Sequence, residues 1–214
     1  MRHQTPSGLR QRKKEARRKE ILQASSRLFR QHGYTSTSME AIAAAVDISP
    51  NTIYNYYRTR GQLLIALISA SDESFFAGLS TVSSRADRAV DCMVEFLESL
   101  AAHSLAEIDQ NTWRHAIAQT MAHEGSEDIG ADIRGINKRL KMFIEKEVKN
   151  LKKLGKLPPD AKPTPLASML FDFHRIIFIR LITSDDLPWN SYRAVLRKYV
   201  EAALHVKISP CGNE

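Results

Sequence analysis

Residues 49–57 read SPNTIYNYY, two asparagines, a threonine and three tyrosines with Ile53 as the one aliphatic side chain. A helix buried on one side repeats apolar residues at spacings of three and four, and a solvated helix carries Lys and Glu; this segment does neither. It opens as a helix all the same. Ser49 offers a capping hydroxyl, and Pro50 stands at the first helical position, where its missing N–H is no loss. Anchored from behind by Ile53 with Tyr54 or Tyr57, such a helix turns Asn51, Thr52, Asn55 and Tyr56 outward. That front is short, uncharged and rich in hydrogen-bonding groups, which suits base edges and phosphates.

The flanking sequence sets this segment in a larger unit. In TSMEAIAAAV (37–46), Thr37 followed three residues later by Glu40 reads as a capping box, and Met39, Ile42, Ala43 and Val46 form an inward face. A short helix is predicted over 38–45, joined to the next by Val46-Asp47-Ile48. Upstream, Ile21, Ala24, Leu28 and Phe29 share one face of a helix over 14–32 that Gly33 stops. Downstream, Thr59 and Gln62 form another capping box and launch a helix through Leu63, Leu64, Leu67 and Ile68. Two short helices across a three-residue turn have the dimensions of a helix-turn-helix, in which the first helix braces the second.

The charge agrees with a polyanion partner. The chain has 214 residues and a net charge of +7, yet residues 1–60 alone hold twelve Lys or Arg against four Asp or Glu, and the remainder nineteen against twenty. A basic block joined to a neutral remainder points to a nucleic-acid-binding module attached to a domain with another task. The run RQRKKEARRK (10–19) is either part of that module or a solvated tail. Residues 1–14 are predicted to be a disordered basic arm. The segment Arg12 to Lys19 either reaches a minor groove or raises non-specific affinity, and the second role is favoured.

Composition narrows the remaining classes. At 43% hydrophobic and 26% charged residues, the chain is globular, neither disordered nor fibrous. Cys92 and Cys211 are far apart and lack metal-ligand spacing, so a cytoplasmic location without disulfides is expected. The basic start leads into no apolar stretch, and the most apolar segment, 166–182, is interrupted by Asp172, His174, Arg175 and Arg180. Neither a signal peptide nor a membrane span is expected.

Beyond residue 75 the periodicity gives further helices over 85–108, 111–124, 131–154, 164–183 and 189–207, the third of them ended by Gly155 and Pro158-Pro159. The prediction is an all-α fold with about nine helices. Its domains are 15–62, extending into helix four to about 76, and 77–214. His115, Gln119 and His123 share a face at spacing four, and His174 lies in an apolar helix, but no carboxylate or cysteine partner accompanies them. With no nucleophile–base signature either, no metal, cofactor or enzymatic activity is expected.

Residues 18–68 resemble the DNA-binding domain of the TetR family of bacterial transcriptional regulators. The matching positions are Ile21, Ala24, Leu28 and Phe29, then Gly33-Tyr34, Thr37 and Ile42-Ala43, then Ser49, Ile53-Tyr54, Tyr57, Arg60 and Leu63. Asp47 stands where the family has a turn glycine, Tyr57 where it has phenylalanine, and Arg60 where it has lysine. The resemblance implies base-edge contacts from Asn51, Thr52 and Asn55, and phosphate contacts from Thr37, Tyr54, Tyr56 and Arg60. It further implies a larger helical domain that binds a small-molecule effector and pairs through its last two helices into a homodimer on a pseudo-palindromic double-stranded DNA operator, acting as a repressor. Trp113, Met121, Phe143, Phe171 and His174 are the candidates for the effector pocket, although for each of them taken singly ordinary core is the preferred reading. An architectural DNA-coating protein without an effector is the alternative, and a small helical metal protein or enzyme a more distant one.

Overall fold

The computed structural model describes residues 6–78, 88–122 and 127–205, with no strand among them. The helices are α1 (Pro6–His32), α2 (Met39–Ala45), α3 (Pro50–Tyr54), α4 (Arg60–Gly78), α5 (Ala89–Glu107), α6 (Gln110–Ala122), α7 (Glu127–Lys153), α8 (Pro163–Thr183) and α9 (Trp189–His205). The chain divides into two compact units, residues 1–71 with 107–132 and residues 72–106 with 133–214.

The first unit carries the segment that opened the reading. Gly33 takes φ +81°, and its N–H donates to the Phe29 carbonyl at 2.8 Å, which ends α1 where the sequence placed the stop. Ile21, Ala24 and Phe29 of α1 are buried, as are Ile42 and Ala43 of α2, Ile53 of α3 and Leu63 and Leu64 of α4. Helix α2 packs on both α1 and α3. Asp47 in the turn between them has φ +53°, a left-handed conformation that Asp reaches at lower cost than most side chains.

Three expectations need correction here. Helix α1 begins at Pro6, so residues 6–14, predicted as a disordered arm, are helical. Leu9, Arg10, Gln11, Arg12, Lys13 and Lys14 are all good helix formers, and the Gln11 amide donates to Glu15 at 2.9 Å. The cap of α2 is Ser38, whose hydroxyl accepts from the Ala41 N–H at 3.1 Å, and not Thr37, which is buried. Residues 107–132, read as part of the larger domain, group instead with the first unit. Asp109 caps α6 through the Thr112 N–H at 3.0 Å, and Ile108, Thr112 and Ala116 are buried.

In the second unit α8 packs on α9. Val90, Met93 and Leu97 of α5, Ile144, Val148 and Leu151 of α7, Leu170 and Ile182 of α8, and Tyr192, Leu196 and Val200 of α9 are buried. Ion pairs join α9 to α5: Arg197 to Asp91 at 2.6 Å, and Arg193 to Glu98. Gly155 at φ +69° closes α7. Cys211 and the last residues predicted for α9 lie outside the described residues.

Candidate nucleic-acid interface

Helix α3 spans five residues, too short to hold itself together in water, so its surroundings must fix it. The Ser49 hydroxyl accepts from the Thr52 N–H at 3.2 Å with Pro50 in the first turn, as the sequence predicts. Ile53 is wholly buried and Tyr57 is 7% exposed, so both are anchors; burying Ile53 alone contributes about 1.5–3 kcal/mol. Asn51 lies one turn from Asn55, the C-terminal cap residue of α3, and both side chains are exposed. Ile53 sits midway between them in sequence and so points the opposite way. Thr52 is half-buried, its hydroxyl 2.8 Å from that of Ser49, while Tyr56 is half-buried just beyond the helix.

The four residues predicted to touch phosphate do not form one set. The Thr37 hydroxyl is turned inward and donates to the Gly33 carbonyl at 2.8 Å, so this side chain closes the loop after α1 instead of facing solvent. Arg60 is half-buried. Its Nη1 donates to the carbonyls of Thr35 and Thr37, both at 2.9 Å, and its guanidinium lies 4.4 Å from the centre of the Tyr34 ring. These contacts tie the start of α4 to the loop ahead of α2. Tyr54 is exposed, but its hydroxyl donates to Glu40 at 3.0 Å and so ties α3 to α2; contact with a phosphate through that proton requires giving up the bond. The Glu40 carboxyl titrates below the usual range because of a backbone N–H first and the Tyr54 hydroxyl second, while the bond to Glu40 raises the Tyr54 phenol. Of the four, Tyr56 alone has no inward tie described.

Two residues to which the sequence reading gave other roles also hold this surface. Glu40 is one; Arg17 is the other, its Nη1 donating to the Val46 carbonyl at 3.1 Å and pairing with Glu20 at 2.8 Å. Both link residues 14 or more apart in sequence, so no local period announces them.

A family model described as bacterial regulatory proteins, tetR family, matches residues 21–67, the segment that holds the buried anchors of α1 to α4 and both helices of the motif. Residues 21–67 therefore carry the DNA-binding domain of the tetR family of bacterial regulatory proteins. Among curated relatives, the HTH-type transcriptional regulator TcmR of Streptomyces glaucescens is 38% identical over 77 residues, 35% of this chain and 34% of that protein. The HTH-type transcriptional regulator UidR of Escherichia coli is 25% identical over 189 residues, 87% of this chain and 92% of that protein. Both are named as regulators of transcription and neither as an enzyme. The fold is also that of Thermus thermophilus FadR, a TetR-family transcriptional repressor solved with lauroyl-CoA, at a TM-score of 0.63 and 18% identity, covering 92% of this chain and 100% of that one.

The candidates for an effector pocket are divided between the two units. Trp113 is half-buried in the first unit, whereas Phe143, Phe171 and His174 lie in the second; the Met121 side chain lies outside the described residues. Phe143 stacks on Phe76 at 4.8 Å and on Phe96 at 5.1 Å. Asp72, within the same unit, has its carboxyl pushed up to about 6 by burial, against the opposing pull of Arg139 and His103. His174 is buried with Nδ1 3.3 Å from the Tyr192 hydroxyl, and burial pushes its imidazole down to about 4. An open groove of about 410 Å³ on α7 is lined by Met142, Glu145, Lys146, Lys149, Asn150 and Lys153, and by none of the candidates. No described helix is long and apolar enough to cross a membrane.

Proposed function

We propose that this protein is a TetR-family repressor that binds a pseudo-palindromic operator as a homodimer in the cytoplasm and is released from it by a small-molecule effector. The observation that carries the reading is α3 itself, held from behind by Ile53, Tyr57 and the Tyr54–Glu40 bond while Asn51 and Asn55 stand exposed one turn apart. Asparagine can bond adenine bidentately, and the methyl of Thr52 can meet that of thymine, so Asn51, Thr52 and Asn55 are the base readers. Tyr56 is the phosphate contact, while Thr37, Arg60 and Tyr54 hold the reading helix in place.

The homodimer forms through α8 and α9. Ile176, Trp189 and Tyr199 on these helices are 59%, 43% and 40% exposed, more apolar surface than a pair of helices facing water needs. A two-fold axis then sets two copies of α3 on half-sites about 34 Å apart. The effector enters the second unit near Phe143, Phe171 and His174; the lauroyl-CoA bound by the FadR of like fold supports a ligand-responsive role for this domain. Residues 107–132 share the first unit with α3, and Tyr34 touches both His115 of α6 and Arg60. Movement of α6 is thereby passed to the loop that positions α2. The ligand's differential affinity for the two dimer conformations limits how far it can drive release.

The test is capture of fragments of the source genome on the purified protein near physiological salt, followed by sequencing. A small set sharing one pseudo-palindrome supports the reading, and protection of both half-sites by a dimer supports the architecture. Retention of fragments with no common motif overturns specific operator binding in favour of sequence-independent coating.

A further inference from the structure

Helix α1 continues well past the body it belongs to. The side chains of residues 8–16 are all exposed, and packing starts at Arg17, which is half-buried against the Val46 carbonyl. Val46 opens the turn between α2 and α3, three residues before the Ser49 cap. The projecting part therefore leaves the domain beside the reading helix, and from Pro6 to Arg17 it extends roughly 16 Å. Arg10, Lys13, Lys14, Arg17 and Arg18 recur at spacings of three and four, which sets them in one stripe along it. The pairs Arg10/Lys14 and Lys14/Arg18 set like charges four apart, each costing the isolated helix about 0.2–0.5 kcal/mol. A row of phosphates would turn that repulsion into attraction.

We infer that the projecting turns of α1 dock, as a helix, along the phosphates of the duplex that flanks the operator, with Arg10, Lys13 and Lys14 making the contacts and Arg17 acting as the brace. The inference rests on the operator-binding reading above. Duplex DNA is the partner because the stripe starts at the turn from which α3 emerges. A helix is about 10–12 Å across and the minor groove about 6 Å wide, so this segment lies on the backbone and reads no bases there. Each phosphate neutralised by a side chain steepens the fall of log K with log salt by about 0.9.

The experiment uses the full-length protein and the captured operator in two duplexes, one trimmed to the palindrome and one with about one helical turn added on each side. Binding is measured by fluorescence anisotropy over a range of salt for the wild type and for the triple variant Arg10→Gln, Lys13→Gln, Lys14→Gln. Expected is a salt slope shallower by about 2.7 per subunit in the variant on the long duplex, little difference on the trimmed one, and an unchanged preference for operator over scrambled sequence. Backbone amides of residues 8–16 should also exchange more slowly on the long duplex than on the trimmed one. An unchanged slope on the long duplex overturns the proposal, as does equal loss on both duplexes. Affinity that changes when flanking A·T pairs are replaced by G·C overturns it too, since that places the segment in the minor groove. If the wild type prefers no operator at all, the regulator reading fails separately, and the same slope comparison on a generic long duplex still decides the role of α1.

Discussion

Replacing Arg60 by alanine separates a residue that grips DNA from one that holds the reading surface together. The Nη1 atom donates to the carbonyls of Thr35 and Thr37 at 2.9 Å each, and the guanidinium lies 4.4 Å from the centre of the Tyr34 ring. A hydrogen bond from a charged donor contributes about 1.5–3 kcal/mol. One nitrogen serves both carbonyls and the side chain is half-exposed, so the lower end, about 1.5 kcal/mol, applies to the pair. The ring contact adds about 0.5–1 kcal/mol. Arg60→Ala should therefore destabilise the protein by about 2 kcal/mol, read as a lower urea midpoint at unchanged slope. Lysine keeps the charge but not the geometry, so Arg60→Lys should recover half or less of the loss. A double-mutant cycle with Tyr34→Leu should return a coupling of about 0.5–1 kcal/mol. If Arg60→Ala leaves the urea midpoint in place and instead flattens the salt dependence of DNA binding by about one unit, Arg60 is a phosphate contact, as the family resemblance implies, and the argument from the loop is wrong.

Other outcomes follow from the same geometry. Thr37→Val removes the hydroxyl bonded to Gly33 and should cost about 1 kcal/mol in urea unfolding while leaving operator preference intact. Asn55→Ala should lose about 1–3 kcal/mol of discrimination at particular base pairs in competition binding; equal weakening on every duplex would remove it from the base readers. Asp47→Val, at φ +53°, should destabilise by about 1–2 kcal/mol and Asp47→Gly by far less, measured by thermal melts. His174 and Asp72 give opposite pH dependences. His174 titrates near 4 in the fold against an ordinary 6.5, so the stability it contributes is complete above pH 6.5 and is lost as pH falls toward 4. Asp72 titrates near 6 against an ordinary 3.8, so its contribution is complete below 3.8 and is lost as pH rises through 6. The two nearly cancel between pH 4 and 6. In His174→Gln, urea midpoints should then rise on acidification through that window, and in Asp72→Asn they should fall.

What the sequence made legible was local. Gly33, Ser49 with Pro50, and Thr59 with Gln62 each carry their signal within four residues, and the structure bears out the first two and the Thr59 half of the third: the Gln62 N–H donates to Thr59 at 3.0 Å, while the Gln62 side chain accepts from the Arg58 N–H at 2.9 Å. The helices beyond residue 75 were readable because an amphipathic period persists over several turns. Side-chain roles that depend on distant partners were not readable. Thr37 sits where a cap would sit, yet Ser38 caps α2 because the loop after Gly33 draws the Thr37 hydroxyl inward. Tyr54 and Glu40, and Arg17 and Val46, meet across turns whose path no spacing reveals. The helical start of α1 was hidden by its charge: repulsion argues for a tail, while propensity argues for the helix observed. The grouping of 107–132 with the first unit depends on contacts with α1 and its following loop, which periodicity does not encode.

The division of labour within α3 bears on how such a protein changes its target. Ile53 and Tyr57 face inward, and the Tyr54–Glu40 bond fastens the helix from its side, while the side chains of Asn51 and Asn55 are exposed. Substitutions at these two positions leave the core as it was, so if Asn51 and Asn55 read bases as proposed, a lineage, or a library, can sample new operator sequences there without first accumulating spare stability.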